Sequence, residues 1–317
     1  MLWGRLSHGA KRTPFALGVW LVSTLVLAQP TPSTHFQVDV GVGHEQQTSP
    51  LFQISPQSNI LYLDGVDRLS GTHARTALQG TKEWMWSGGV VIALAADATF
   101  KRAPAKPGFD FASLSVQPTV HVPVGSASVG VGLNLQTLDV AGQHFRDVGG
   151  VQTNWTWSDG KRLWGIVIDT AVYKHSGDLV DMDAAASSLV VLRQISDPLP
   201  GLDGIDFSGI VGREHNERGI AELSSRSAML TVLVRWSGLG AHWSIGRGWR
   251  QVVFDDTAFA GEPMREDRTA MLDLAVQWPL SAARAVRVEF NESHNTSTTH
   301  LYDNLYRQIS VTLRSSF

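Results

Sequence analysis

Apolar and polar residues alternate over short stretches along most of the chain. In the last of these stretches Ile309, Val311 and Leu313 are apolar, whereas Ser310 and Thr312 between them are polar. Successive side chains of a strand point to opposite faces, so this pattern predicts a strand with one apolar and one polar face. Stretches of the same kind recur around Val131 and Leu133, around Ile166 and Ile168, and around Val232 and Val234.

The alternating stretches number about fourteen, an even number that suits a closed antiparallel barrel in which neighbouring strands run in opposite directions. Short turn signals are expected near Gly125, Gly160, Gly240 and Pro279. Longer polar connections are expected at 101–108, 174–183 and 255–264, and the polar segment from Ser49 to Gly71 is interpreted as a surface loop.

Tryptophan residues cluster beside the predicted short turns. Trp is enriched where a protein crosses the membrane–water boundary, so one girdle of aromatic residues is expected at the short-turn end. The residues concerned are Trp84, Trp86, Trp157, Trp164, Trp236, Trp243 and Trp278. The predicted fold is therefore all-β: a transmembrane antiparallel β-barrel of about 14 strands, closed by a C-terminal strand that ends in Phe317. A secreted sandwich or solenoid also alternates, but it gives no shared reason for the Trp placement and the terminal Phe.

Composition narrows the class further. The chain has 317 residues, 17% of them charged, and a mean hydropathy of -0.04, which is too polar for a helical membrane protein of this size. Its one long apolar run, Phe15 to Ala28, is shorter than the roughly 20 residues that a membrane-spanning helix needs. A basic start and small residues before Gln29 predict a signal peptide over 1–28 and a barrel over 29–317, with an uncleaved anchor as the alternative. The chain has no cysteine, so closed hydrogen bonding must stabilise it.

The net charge of -3 and the pI near 6.4 argue against a nucleic-acid partner. No constellation of residues predicts catalysis, a metal site or a cofactor, and we expect a protein that is not an enzyme. His294 and His300 lie near Glu289 and Glu292, but eleven histidines along the chain make such proximity common. Asp178, Asp181 and Asp183 resemble part of a calcium loop without its Gly and final Glu, so a solvated loop is favoured.

Charged residues on the polar faces are the candidate functional residues. Inside a barrel they would set ion preference or guide an unfolded passenger, or they would pair with one another and fill the interior. The candidates are Arg213, Glu214, Arg235, Asp273, Arg287 and Glu289.

The end of the chain resembles the C-terminal barrel of the surface lipoprotein assembly modifier family. That family's last hairpin has an Arg-x-Asp strand, a Ser-Asn loop, a Leu-Tyr-x-Tyr-like turn and a terminal Phe. The matching residues are Arg265, Asp267, Ser293, Asn295, Leu301, Tyr302, Tyr306 and Phe317, with Ser293 and Asn295 separated by one residue and the second Tyr displaced to Tyr306. The family's helical-repeat domain has no counterpart between Gln29 and Phe36, so the resemblance is to the barrel alone.

The resemblance implies a barrel-only relative that moves a lipoprotein or another polypeptide to the cell surface; a passive porin-like channel for small solutes is the alternative. The expected partners are outer-membrane lipids, the barrel-assembly machinery through the C-terminal strand, and a lipoprotein passenger. The chain is expected to be a monomer in the outer membrane.

Overall fold

A computed structural model describes residues 33–54, 61–105, 110–257 and 263–317. In this structure fourteen antiparallel strands form one closed barrel. The strands are β1 Thr34–Ile54, β2 Leu61–Met85, β3 Val91–Arg102, β4 Phe111–Val124, β5 Ala127–Val140, β6 Gln143–Ser158, β7 Arg162–His175, β8 Ala184–Ser196, β9 Gly204–Asn216, β10 Ser225–Gly238, β11 Ala241–Phe254, β12 Glu266–Ser281, β13 Arg284–Ser297 and β14 Asn304–Ser316. Each strand pairs with its neighbours in sequence, which confirms the predicted fold class.

The barrel closes where the last strand meets the first. Val40 lies opposite Leu313 and Val42 opposite Val311. The Phe36 backbone N–H donates to the Phe317 carbonyl at 3.1 Å, and the Phe317 N–H donates back to Phe36 at 2.8 Å. Closure pairs the edge groups that an open sheet would leave free, as a lipid environment requires.

The alternation in sequence becomes an outer and an inner face. Val131 and Ile168 are each 52% exposed on the outer face, while Gly132 and Asp169 beside them are buried. The six residues predicted to contact acyl chains all point outward: Val131, Leu133, Ile166, Ile168, Val232 and Val234.

The predicted aromatic girdle lies at the end of the barrel where β1 begins and β14 ends. Trp157 stacks on Trp164 at 6.0 Å between ring centroids, and Trp236 stacks on Trp243 at 6.2 Å. Both pairs are directly opposite across neighbouring strands, next to the turns after β6 and β10. By the usual orientation of such barrels this end faces the periplasm, and we call the opposite end the outer end.

The prediction of a loop from Ser49 to Gly71 was wrong. β1 continues to Ile54 and β2 begins at Leu61, with Ser49 paired to Asp67. The β1–β14 register ends at Thr48. Within the described ranges, the strands β1 and β2 pair only with each other beyond Thr48. This part of the hairpin extends past the lipid, so it does not need an apolar outer face. Its polar sequence therefore lacks the alternation by which the other strands were predicted.

One predicted turn is displaced, and one turn was not predicted. The turn expected at Pro279 lies at 281–284, because Pro279 belongs to β12 and the register shifts beside it. At the outer end β5 and β6 are joined by a short turn at Ala141 and Gly142, both with positive φ. That pair of left-handed residues forms the kind of tight hairpin turn that matches strand twist.

The outer connections between β7 and β8 and between β9 and β10 are tied together. Asn216 is fully buried, and its amide donates to the carbonyls of Asp181 at 2.6 Å and Asp183 at 3.1 Å. The His175 N–H, and then Lys174, hold the pKa of the Asp183 carboxyl below its ordinary value. Arg218 pairs with Asp181. The loop that contains Asp181 and Asp183 was predicted to be solvated, and the Asp181 side chain is 59% exposed. Hydrogen bonds from Asn216 also fasten this loop to the next outer connection.

Within the described ranges four short 3-10 helices lie in the connections, at Ser87–Gly89, Gly177–Met182, Ala221–Leu223 and His300–Tyr302. No helix among the described residues is both long and apolar enough to span a bilayer. The predicted signal peptide, 1–28, lies outside the described residues.

Candidate channel lumen

The polar faces of the strands line the interior. Lys101 on β3 places its Nζ 2.7 Å from the Glu45 Oε2 on β1, although β2 lies between the two strands. Arg314 on β14 similarly donates to the Gln277 side chain on β12 at 3.3 Å, across β13. In both contacts the side chains reach across the strand that lies between them. This is possible on the inner, concave side of a barrel, where side chains from next-but-one strands converge.

A buried polar network fills part of the outer end of the lumen. Glu45 and His73 are each 2% exposed. The Tyr306 hydroxyl lies 3.1 Å from the Glu45 Oε2 and 3.0 Å from the Gln308 side chain, which in turn lies 3.2 Å from the His73 Nε2. With Lys101 against Glu45, this network joins β1, β2, β3 and β14 at the seam where the barrel closes.

Four of the eight residues that carry the family resemblance, Arg265, Asp267, Asn295 and Tyr302, form a second cluster beside this network. Tyr306 belongs to the seam network, and Phe317 lies at the opposite end of the barrel. Arg265 binds Asp267 through two hydrogen bonds of 3.1 and 2.6 Å. Its guanidinium lies 3.2 Å from the Tyr302 ring centroid and 4.1 Å from that of Phe254. The Asn295 amide donates to the Tyr302 carbonyl at 2.8 Å. These contacts hold the connection between β13 and β14 against the outer end of the lumen.

Other inward charges lie at the outer end on the far wall. The Arg146 guanidinium on β6 lies 4.9 Å from the Tyr173 ring on β7. Glu214 on β9 is within electrostatic range of both Arg146 and Arg250. These groups are partly buried, and acids and bases alternate around this wall.

Three ion pairs line the periplasmic end of the lumen. Arg314 binds Asp39 through hydrogen bonds of 3.0 and 2.8 Å. The other two pairs are Arg287 with Glu289 at 2.7 Å and Arg235 with Asp206 at 2.9 Å. Each arginine at this level is therefore largely compensated by a carboxylate.

The middle of the lumen has a different character. Asp97, Asp169 and Asp273 point inward close to the middle of β3, β7 and β12, on separate parts of the wall. Within the described ranges none of the three pairs with an arginine or lysine. Asp97 accepts a hydrogen bond from Ser115. Asp273 is exposed although it points inward, beside Gly246, so the interior is not filled there.

The structure distributes the six predicted lumen charges over several levels. Glu214, Arg235, Asp273, Arg287 and Glu289 point inward at the levels just described. Arg213 does not: it lies on the outer face, with 59% of its side chain exposed, because it is adjacent to the inward Glu214. Neighbouring residues of a strand take opposite faces, so the expectation for Arg213 was wrong.

Sequence reasoning missed the seam network and the Arg314–Asp39 pair. The alternation of Val40 and Val42 in β1 already places Asp39 and Glu45 on the inner face. The partners, however, come from strands distant in sequence, which alternation does not reveal. Among the described residues no group of three or more His, Asp or Glu side chains could hold a metal ion.

The exterior places the barrel in a membrane. A mostly apolar outer face extends upward from the Trp girdle to a row of charged residues that includes Arg102, Arg213 and Arg307. Arg247 is a charged residue within this face, and its guanidinium lies over the Trp249 ring. Together with closed backbone pairing, this is the surface of a protein that spans the outer membrane as a β-barrel.

No protein-family model matches the chain, and no curated protein matches it. Solved outer-membrane structures are similar at low identity. A loop L8 deletion mutant of OmpT from Vibrio cholerae has a TM-score of 0.47 and 8% identity, covering 90% of this chain and 99% of that one. OccK2 (OpdF) of Pseudomonas aeruginosa, in complex with glucuronate, has a TM-score of 0.48 and 8% identity, covering 89% and 96%. An anion-selective porin from Comamonas acidovorans has a TM-score of 0.46 and 9% identity, covering 90% and 99%.

Proposed function

We propose that this barrel is a passive channel for small polar solutes, with a preference for cations. The observation that carries the proposal is the unfilled middle of the lumen, where Asp97 and Asp273 face the interior without a basic partner among the described residues. Rings of carboxylates favour cations in membrane pores. Glu289 lies opposite Ala275, on the same face as Asp273, but it is already paired with Arg287, so the preference rests on Asp97 and Asp273.

The two ends of the lumen contribute less to the preference. At the periplasmic end each arginine has a carboxylate partner, so its field is largely cancelled over a distance comparable to the Debye length, about 8 Å at physiological ionic strength. At the outer end the seam network narrows the lumen on one side. The narrowed outer end therefore limits the size of the solutes that pass, and the carboxylates in the middle of the lumen select among them by charge.

The test is the reversal potential of purified barrels in a planar bilayer with a potassium chloride gradient. Potassium should be favoured over chloride, and the double variant Asp97→Asn/Asp273→Asn should shift the reversal potential toward zero. Asp147→Asn is the matched control, because Asp147 lies on the outer face with 60% of its side chain exposed. Chloride selectivity, or no conductance from folded barrels, would contradict the proposal.

The family resemblance supplies a second candidate, movement of a lipoprotein to the cell surface. The observation that favours it is the single cluster formed by Arg265, Asp267, Tyr302 and Asn295. Co-expression with a lipoprotein encoded beside the barrel should then expose that lipoprotein to protease outside intact cells. Deletion of the barrel gene should remove the exposure and leave the amount of lipoprotein unchanged. A lipoprotein that stays protected while small-solute uptake falls on deletion would leave the channel as the function.

A further inference from the structure

Two arginines lie side by side on the outer surface near the outer end. Arg213 on β9 is directly opposite Arg226 on β10, and 59% and 71% of their side chains are exposed. Like charges opposite each other on neighbouring strands destabilise a sheet. Among the described residues the two share one carboxylate, Asp255, at 3.9 and 3.7 Å, both too long for hydrogen bonds. The pair therefore keeps a net positive charge and free donors.

An apolar depression of about 900 Å³ lies next to this pair on the same outer surface. Its walls are outward residues of β5 to β9, with Leu133, Leu135, Val151 and Val172 each between 39% and 48% exposed. The surface is recessed at the centre of the depression because the residues there are small. One of them is Gly149, and the space that a side chain would occupy there is open. Arg213 and His215 form the end of the depression that lies toward the outer end of the barrel.

We propose that this surface binds a phosphorylated lipid of the outer leaflet, with an acyl chain in the depression and a phosphate on Arg213 and Arg226. The two parts of the site match the two parts of a lipid. The apolar depression lies closer to the middle of the membrane, where acyl chains lie, and the arginine pair lies closer to the outer surface, where the headgroups begin. Arginine binds phosphate through paired, charge-assisted hydrogen bonds, and His215 provides a further polar group at the same end. A phosphate there also relieves the repulsion between the two arginines.

The experiment is native mass spectrometry of the full barrel in detergent, titrated with diphosphorylated lipid A and, separately, with lipid A from which both phosphates have been removed. The phosphorylated form should bind more tightly. Arg213→Ala/Arg226→Ala should weaken its binding about tenfold or more, since the charge-assisted hydrogen bonds to the phosphate are lost. Arg102→Ala is the matched control, an outward arginine on another wall with 83% of its side chain exposed.

The depression is tested by filling it. Gly149→Leu should weaken binding of the phosphorylated lipid, because the new side chain occupies the space of the acyl chain. Gly209→Leu is its control, since Gly209 is outward on β9, with open space around it and outside the depression. An added Cβ at either site meets no heavy atom within 4 Å, so both variants are expected to fold, and the gel mobility shift of the folded barrel checks this.

Three results would overturn the site. Equal binding of the phosphorylated and dephosphorylated lipids would remove the role of the phosphate. Unchanged binding by the double arginine variant would remove the role of the pair. If the barrel has the mass of a multimer and Gly149→Leu has the mass of a monomer, the depression binds a second copy of the chain and not a lipid.

Discussion

Leu274 offers a sharp test of the strand register. It lies near the middle of β12 and points outward, with Ile245 and Phe290 opposite it on the neighbouring strands. Ala275, the next residue, points inward and lies opposite Glu289. Replacing each in turn by arginine places the same charge either in lipid or beside a carboxylate in the lumen.

Leu274→Arg should destabilise the folded barrel by about 2 to 4 kcal/mol, the cost of an arginine at the bilayer midplane. The residues directly opposite it, Ile245 and Phe290, are apolar, and the nearest outward carboxylate, Glu292 at the diagonal position on β13, is already bound to Arg307. Trp278, the nearest residue of the girdle on this strand, is four residues away, or roughly 13 Å at the rise of a strand. That distance exceeds the length of an arginine side chain, so the charge cannot reach the girdle. In the other direction Glu292 and Arg307 begin the charged row opposite Leu272, two residues away, so the lower end of the range is expected if the side chain turns that way.

Ala275→Arg should cost far less, because its guanidinium can pair with Glu289 and is solvated in the lumen. The assay is reversible unfolding in urea with lipid vesicles, followed by the mobility shift of the folded barrel on gels. Equal losses from the two variants would refute the register, because a slip of one residue exchanges the two faces.

Three further outcomes are expected. Tyr306→Phe should lower the free energy of unfolding by about 1 to 3 kcal/mol, since the hydroxyl bonded to Glu45 is lost; an unchanged value would show that the seam network is not stabilising. Asn216→Ala should lower the melting temperature and increase proteolysis of the outer rim, because two carbonyls lose their donor. The lowered pKa of Asp183 contributes stability that is present above the ordinary carboxyl value of 3.8 and is lost as pH falls through the folded value. In acid, the unfolding midpoints of wild type and Asp183→Asn should converge, and a constant difference down to pH 2 would contradict this.

Much of the barrel follows from local pattern. Alternation assigns Ile168 to the lipid face and Asp169 to the interior. It can do so from sequence alone, because successive side chains of a strand point to opposite faces whichever strands lie beside it. The same rule excludes Arg213 and Glu214 from sharing a face, and Val211 on the outer face decides which of them points inward. Turn chemistry and Trp placement then give the strand count and the girdle.

Tertiary structure alone decided which inner side chains meet. Tyr306 and Glu45 are 261 residues apart in sequence, and Lys101 and Glu45 are 56 apart. Their contacts exist because closure brings β14 beside β1 and because curvature turns the inner faces of β1 and β3 toward each other. Arg314 and Asp39 are 275 residues apart and pair for the same reason, on the two strands that close the barrel. Pairs of this kind depend on which strands come together around the barrel, and that is decided only once the first and last strands have joined.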